Sequence, residues 1–206
     1  MDVNSFKILN ESILIFRERI REKEEEKVRS GKVIVDDPKR VDGPLVRLKE
    51  YKVNYGSHSL ELYLQETSWI DYVATNRSLK EDFVWNMVVA RGADIRNLDD
   101  GLANPIGCVS VTLTSDRHVI LNRRSERAAV YPGLYGILPA GYSNPEEDNY
   151  NPFNTVKREG KEELGVEIKE PNFWALEDIA MIDILNFCFF LKYLIQLRKF
   201  FMYIDH

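Results

Sequence analysis

At 206 residues with 44% hydrophobic content, the chain is long enough for one substantial core plus an appendage, which excludes wholesale disorder. A formal charge of −5 and a pI near 5.4 argue against a nucleic-acid surface built on bulk positive charge, although a local basic patch could still meet a phosphorylated small molecule. Cys108 and Cys188 lie far apart in apolar segments, so they read as buried thiols of a reducing, cytoplasmic compartment rather than as a disulfide framework. The N-terminus interleaves apolar residues with charge and has neither a signal-peptide core nor a small-residue cleavage site. Near the other end, ILNFCFFLKYLIQL is interrupted by Asn186 and Lys192 before it reaches the roughly 18 to 20 apolar residues of a spanning helix, so no membrane partner is expected.

In chain order, residues 4–29 predict one helix, with Ile13, Phe16 and Ile20 at helical spacing and a following charge run read as a solvated face. KVIV, PLVRLKEY, SLELYLQE and WIDYVATN then read as short strands between turn-prone residues, a β-rich extension. A second helix is expected after Ser78, where SLKE has the form of a capping box with Glu81, and Leu79, Phe83 and Met87 supply a buried stripe. From Asn104 the texture changes to alternating strands, GCVSVTLT and HVILNRR, joined at Ser115 and Asp116. YPGLYGILPAGY follows, with a short strand at Tyr135 to Leu138 and open backbone at Ala140 and Gly141. The expected division is an N-terminal region over 1–90 and a main domain over 104–206.

The informative segment is GYSNPEEDNYNPFNTVKREGKEELGV, residues 141–166. Asn151 is placed as an N-cap with Pro152 at the first helical position, and Gly165 is placed to end the helix in a left-handed conformation. Within it Glu159, Glu162 and Glu163 stand at i, i+3 and i+4, so their carboxylates fall within a roughly 100° arc. Like charges so clustered are unfavourable without a counter-charge, and a bound cation is one reason to tolerate them. Oxygen-only ligands specify a hard ion, Mg²⁺ or Mn²⁺. Glu-rich turns with intervening Lys157, Arg158 and Lys161 are also common on solvated helices, so the spacing alone leaves both readings open. Phe153, Val156, Gly160 and Leu164 form an adjacent stripe that would seat the helix on a sheet, with Gly160 permitting a close approach.

This segment resembles the box of the Nudix hydrolase family, written G, five residues, E, seven residues, REUXEEXGU, where U is bulky and aliphatic. REGKEELGV, residues 158–166, matches the second half at each fixed letter, and Gly141 and Glu147, separated by five residues, match the first. Two departures stand out: ten residues rather than seven separate Glu147 from Arg158, and Gly160 replaces an aliphatic residue. The resemblance implies an α/β/α sandwich around a mixed sheet, preceded by a smaller α+β N-terminal region. It implies that Glu159, Glu162 and Glu163 coordinate Mg²⁺ or Mn²⁺ with a carbonyl near Gly141 or Ala140, that Glu147 assists through water or a second ion, and that Arg158 holds a neighbouring glutamate. Catalysis would then fall to Glu159 or Glu163 as base, with Arg158 in support, and the reaction would be hydrolysis of a diphosphate bridge in a nucleoside diphosphate derivative.

Substrate contacts are expected from the basic cluster Arg123, Arg124 and Arg127, for which ordinary surface charge is the competing account. Tyr131, Tyr135 or Tyr142 could stack a base, though core packing is the commoner role. The N-terminal extension, ANPIGCVSV, RRSERAAVYPGLYG and the lengthened box loosely resemble the members that hydrolyse UDP-sugars, with ADP-ribose and dinucleotides as the next choices. A binding or regulatory module without turnover is the rival reading. A second concerns the end of the chain: from Met181 its texture is that of a truncated or frame-shifted end, with a buried strand at NFCFFLKYLI as the alternative. No residue pattern decides for or against a homodimer.

Overall fold

The computed structural model describes residues 11–31, 42–57, 59–90, 101–112, 114, 116, 118–126 and 132–168. All of them belong to one compact unit. Lys32–Val35, Arg127, Tyr131, Cys188 and the segment from Met181 onward lie outside the described residues.

Helix α1 spans Glu11–Arg29, so the described part of the expected first helix is helical. Ile13 is fully buried, and Phe16 meets Phe83 edge-on with ring centroids 5.0 Å apart. The charged face is less solvated than its composition suggests. Arg17 folds inward to pair with Asp71 and with Asp42 at 3.3 Å, and Arg21 reaches Asp42 at 3.0 Å.

Strands β1 (Pro44–Asn54) and β2 (Ser59–Ser68) form an antiparallel hairpin whose register slips between Leu48 and Glu50. Its turn is closed by Asn54, whose side-chain oxygen accepts from the amides of Gly56 and Ser57. WIDYVATN is not a strand. Trp69–Ala74 is helix α2, followed by a single 3₁₀ turn at Asn76–Ser78. Its alternating burial at Ile70, Tyr72 and Ala74 imitates a strand, but two caps decide the outcome: Ser68 accepts from the Asp71 amide and Asp42 from the Ile70 amide. The second of those caps comes from a residue distant in sequence.

Helix α3 covers Asp82–Ala90 and starts later than the capping-box reading predicts. The Ser78 hydroxyl donates to the Val73 carbonyl at 2.7 Å, and the Glu81 amide bonds the Ser78 carbonyl instead of its side chain. The inward face is carried by Val84 and Val88 against Leu102, with Leu79, Phe83 and Met87 packed around them.

Beyond Gly101 the strands are short. β3 (Gly107–Val109) pairs with β6 (Ala140–Tyr142), and β4 (Leu121–Arg123) with β5 (Tyr135–Ile137). The two long strands read from GCVSVTLT and HVILNRR are thus reduced, though cross-bonds from the Ile120 amide to the Thr112 carbonyl and from the Thr114 amide to the His118 carbonyl preserve the hairpin between them. Among the described residues all strand pairing is antiparallel, in three two-stranded sheets, giving a mixed content of helices and small sheets. No described helix is long and apolar enough to cross a membrane.

The N-terminal hairpin is bonded directly to the later segment. Val46 accepts from the Ile106 amide at 2.8 Å and donates to the Ser143 carbonyl at 2.9 Å, while the Ser143 amide closes back on the Ile106 carbonyl. Val46, Leu48, Ile106 and Cys108 form one apolar cluster beneath this junction, with Val156 packed against it. The glutamate segment therefore rests on a platform assembled from the N-terminal hairpin and the segment around Ile106 and Cys108.

Candidate functional site

The lengthened box loop folds rather than dangles. Asn144 caps a short helix α4, Pro145–Asp148, by accepting from the amides of Glu146 and Glu147 at 2.9 and 3.2 Å. Asn149 and Tyr150, at φ 50° and 57°, then turn the chain sharply through the left-handed region. The Tyr150 hydroxyl is secured by Glu66, and burial together with that carboxylate pushes its pKa up to about 12. Helix α5 follows over Pro152–Leu164, with Asn151 accepting from the Phe153 amide and Gly165 at φ 67°. Both ends are those expected from the sequence.

Which residues of α5 face inward differs from the expected stripe. Thr155 and Gly160 are buried, Val156 is partly so, and Phe153 is 39% exposed. The close neighbour of Gly160 is its own chain rather than the sheet: a Cβ there would lie 2.6 Å from Cδ1 of Ile168, which folds back after the helix and would have to shift.

Arg158 is the hub of the site. Its Nε and Nη2 donate to the two oxygens of Asp148 at 2.9 and 3.0 Å, a bidentate grip. Nη1 reaches Glu159 at 2.8 Å and Glu162 at 3.3 Å, Nη2 also donates to the Tyr142 carbonyl at 3.2 Å, and Glu147 stands 3.5 Å from Nε. The bond to Asp148, against the opposing effect of burial, and the charge of Glu159 raise the guanidinium pKa further above its already high value.

Asp148 is completely buried, and the sequence reading missed it. Besides Arg158, it accepts from the Asn144 amide and from the Thr155 hydroxyl, each at 2.8 Å. Burial favours its neutral form, but the hydrogen bonds from Arg158, the Asn144 amide and Thr155 outweigh it and hold the carboxyl below its ordinary range. The chain of contacts continues inward from Thr155 to Ser143 at 2.7 Å and from Ser143 to the Cys108 thiol at 3.5 Å. Cys108 is buried as expected, and burial pushes its pKa up. One signal of Asp148 was available: Asn144 followed by Pro145 is a helix start, and a one-turn helix from there presents residue 148 to its own N-cap.

The two halves of the box meet. The Glu159 carboxylate lies directly on the backbone of Gly141, so close that a Cβ at that position would overlap it. Burial, with Glu163 and Glu162 nearby, pushes its pKa up to about 7 despite the opposing charge of Arg158. Glu163 accepts from the Ala140 amide at 2.9 Å, so the backbone group that meets this acid is an N–H, where the resemblance implies a carbonyl near Gly141 or Ala140. Glu162 turns to Arg158 and is largely exposed, as is Glu147 to a lesser degree.

Of the expected basic cluster, Arg123 and Arg124 lie among the described residues. Arg123, at the end of β4, is exposed and pairs with Glu126 at 2.6 Å; the Arg124 backbone bonds the loop at Leu134 and Gly133. Of the three tyrosines, Tyr142 packs with Tyr72 and Trp69 and donates to the Tyr72 hydroxyl, whereas Tyr135 is 59% exposed.

In kind, the donor set suits a hard divalent ion: all donors are oxygens, Glu159 is half-buried with its pKa raised by burial and by Glu163 and Glu162, and Gly141 leaves room that a side chain would fill. As they stand, Glu162 is engaged by Arg158 and Glu163 by the Ala140 amide, and among the described residues no three acidic, histidine or cysteine side chains converge as a ligand set. No protein-family model matches the chain, and no curated protein matches it significantly.

Proposed function

We propose that the protein is a Nudix-type pyrophosphohydrolase, hydrolysing the diphosphate bridge of a nucleoside diphosphate derivative with Mg²⁺ or Mn²⁺, on a fold of the α/β/α sandwich kind. The observation that carries this reading is the meeting of the two halves of the motif: Glu159 lies on Gly141, Glu163 takes the Ala140 amide, and Arg158 binds the loop that follows the first half. Glu159, Glu162 and Glu163 would hold the ion, with Glu147 able to join through water. When bound, the ion supplies charge neutralisation at the phosphate oxygens and lowers the pKa of a water.

The residues contribute the rest. Arg158 fixes the direction of Glu159, and Gly141 lets that carboxylate reach the strand backbone. Glu163 or Glu159 would take the proton from the attacking water. Arg123 and Arg124 are retained as candidate phosphate contacts from the β4 end, and UDP-sugars lead the substrate classes, ahead of ADP-ribose and dinucleotides. A nucleotide-binding module without turnover is the second reading, favoured by the engagement of Glu162 and Glu163 with Arg158 and the Ala140 amide.

Chromatographic product analysis tests both. Purified protein is incubated with UDP-sugars, ADP-ribose and dinucleotides, with and without Mg²⁺ or Mn²⁺, beside Glu162→Gln and Glu163→Gln. Nucleoside monophosphate that requires metal and vanishes in both variants is the expected result. Nucleotide binding without product would establish the second reading, and neither binding nor product would overturn both.

A further inference from the structure

We propose that Asp148, contributed by the residues that lengthen the box, is the positioning residue of the glutamate site, acting through Arg158. The inference rests on the functional reading above only for its consequence in metal affinity; the grip itself is a separate claim about the protein.

The acid that the motif places nearest, Glu147, is 44% exposed and stands 3.5 Å from the guanidinium Nε. Asp148, one residue later, is fully enclosed and meets two, at 2.9 and 3.0 Å. Its position is fixed independently by the Asn144 amide and the Thr155 hydroxyl, and through Thr155 by Ser143, so it cannot follow the arginine if the arginine moves. The remaining nitrogen, Nη1, lies between Glu159 and Glu162.

Arg158 is thus shared between one permanent anion and two acids that a cation would also seek. Held by Asp148, it orients Glu159 from the side and can surrender Glu162 to an ion without following it. Released from Asp148, the same guanidinium would settle among the glutamates as their counter-charge and compete with the ion. The neutral Asn at 148 preserves shape and removes the charge that decides between these outcomes. Loss of such an outer partner lowers metal affinity by about 10- to 100-fold.

Two measurements on the full chain test this. The first is the Arg158 side-chain Nε–H signal in ¹H–¹⁵N NMR spectra without metal, assigned by its loss in Arg158→Lys. A slowly exchanging signal is expected in the parent protein and in Glu147→Gln, and its loss or marked upfield shift in Asp148→Asn. Retention in Asp148→Asn, or loss in Glu147→Gln, overturns the proposal. Should Asp148→Asn fail to fold, Thr155→Val keeps the aspartate and withdraws one of its donors, and an unmoved signal there overturns it equally. The second is Mn²⁺ titration followed by the electron paramagnetic resonance of the free ion, where Asp148→Asn should bind about 10- to 100-fold more weakly than the parent. Unchanged Mn²⁺ affinity overturns the positioning role. A parent protein that shows the protected signal but binds no Mn²⁺ sinks the metal-dependent reading while leaving the grip of Asp148 on Arg158 established.

Discussion

Gly141 and Glu159 show how one absent side chain and one half-buried carboxyl define the site. Because a Cβ at 141 would overlap the Glu159 carboxylate, Gly141→Ala must displace either the acid or the strand β6. Overpacking of this kind costs about 1 to 3 kcal/mol, a loss that urea unfolding should register. Glu159 also gives the metal-free protein a pH dependence. Its carboxyl titrates near 4.5 when unfolded and is pushed up to about 7 in the fold by burial and its acidic neighbours. Between those values the native state binds more protons than the unfolded chain, so the contribution of Glu159 is fully present below pH 4.5 and is lost as pH rises through 7. The expected loss is of the order of 3 kcal/mol. Asp148 acts in the opposite sense, its contribution being lost as pH falls through its ordinary 3.8, so a comparison made at pH 5 and above reads mainly Glu159. Denaturant midpoints at pH 5 and pH 8 should therefore differ more in the parent protein than in Glu159→Gln; equal differences would remove Glu159 as the cause.

At the scale of elements, helix α5 was legible because its ends are local. Asn151, Pro152 and Gly165 do the capping with their own backbone geometry, and the acids follow from helical spacing. Asn151→Ala should accordingly cost about 1 kcal/mol in thermal or urea unfolding, with Asn151→Ser recovering most of it. Elements decided by distant partners were not legible in the same way. WIDYVATN has the alternation of a strand and becomes a helix because Asp42 caps it from another part of the chain. Ser78 has the form of a helix cap and instead donates to Val73. Phe153 was assigned to the buried face, yet the surface beneath the first turn of α5 is polar, occupied by Asp148 and Ser143, which select Thr155. Asp148 itself escaped notice because its importance lies in being enclosed, which no spacing records.

For the molecule as a whole, the expected N-terminal region and the later segment are tied by the backbone bonds of Val46, which join the hairpin to Ile106 and Ser143. The same Ser143 carries the hydroxyl that bonds Thr155 under the glutamate helix. Val46 is 1% exposed, at the centre of the cluster with Leu48, Ile106 and Cys108 on which Val156 rests. Trimming it should therefore weaken the hairpin and the site together. Val46→Ala is expected to cost about 2 to 3 kcal/mol, and the amide signals of Gly56 in the hairpin turn and Gly160 in α5 should disappear at the same, lowered urea concentration. If Gly56 were lost first while Gly160 persisted to its original midpoint, the hairpin would be an appendage after all. A coincident loss would mean that the glutamate site exists only while the N-terminal strands hold it, and that a fragment beginning at Asn104 would lack half of its support.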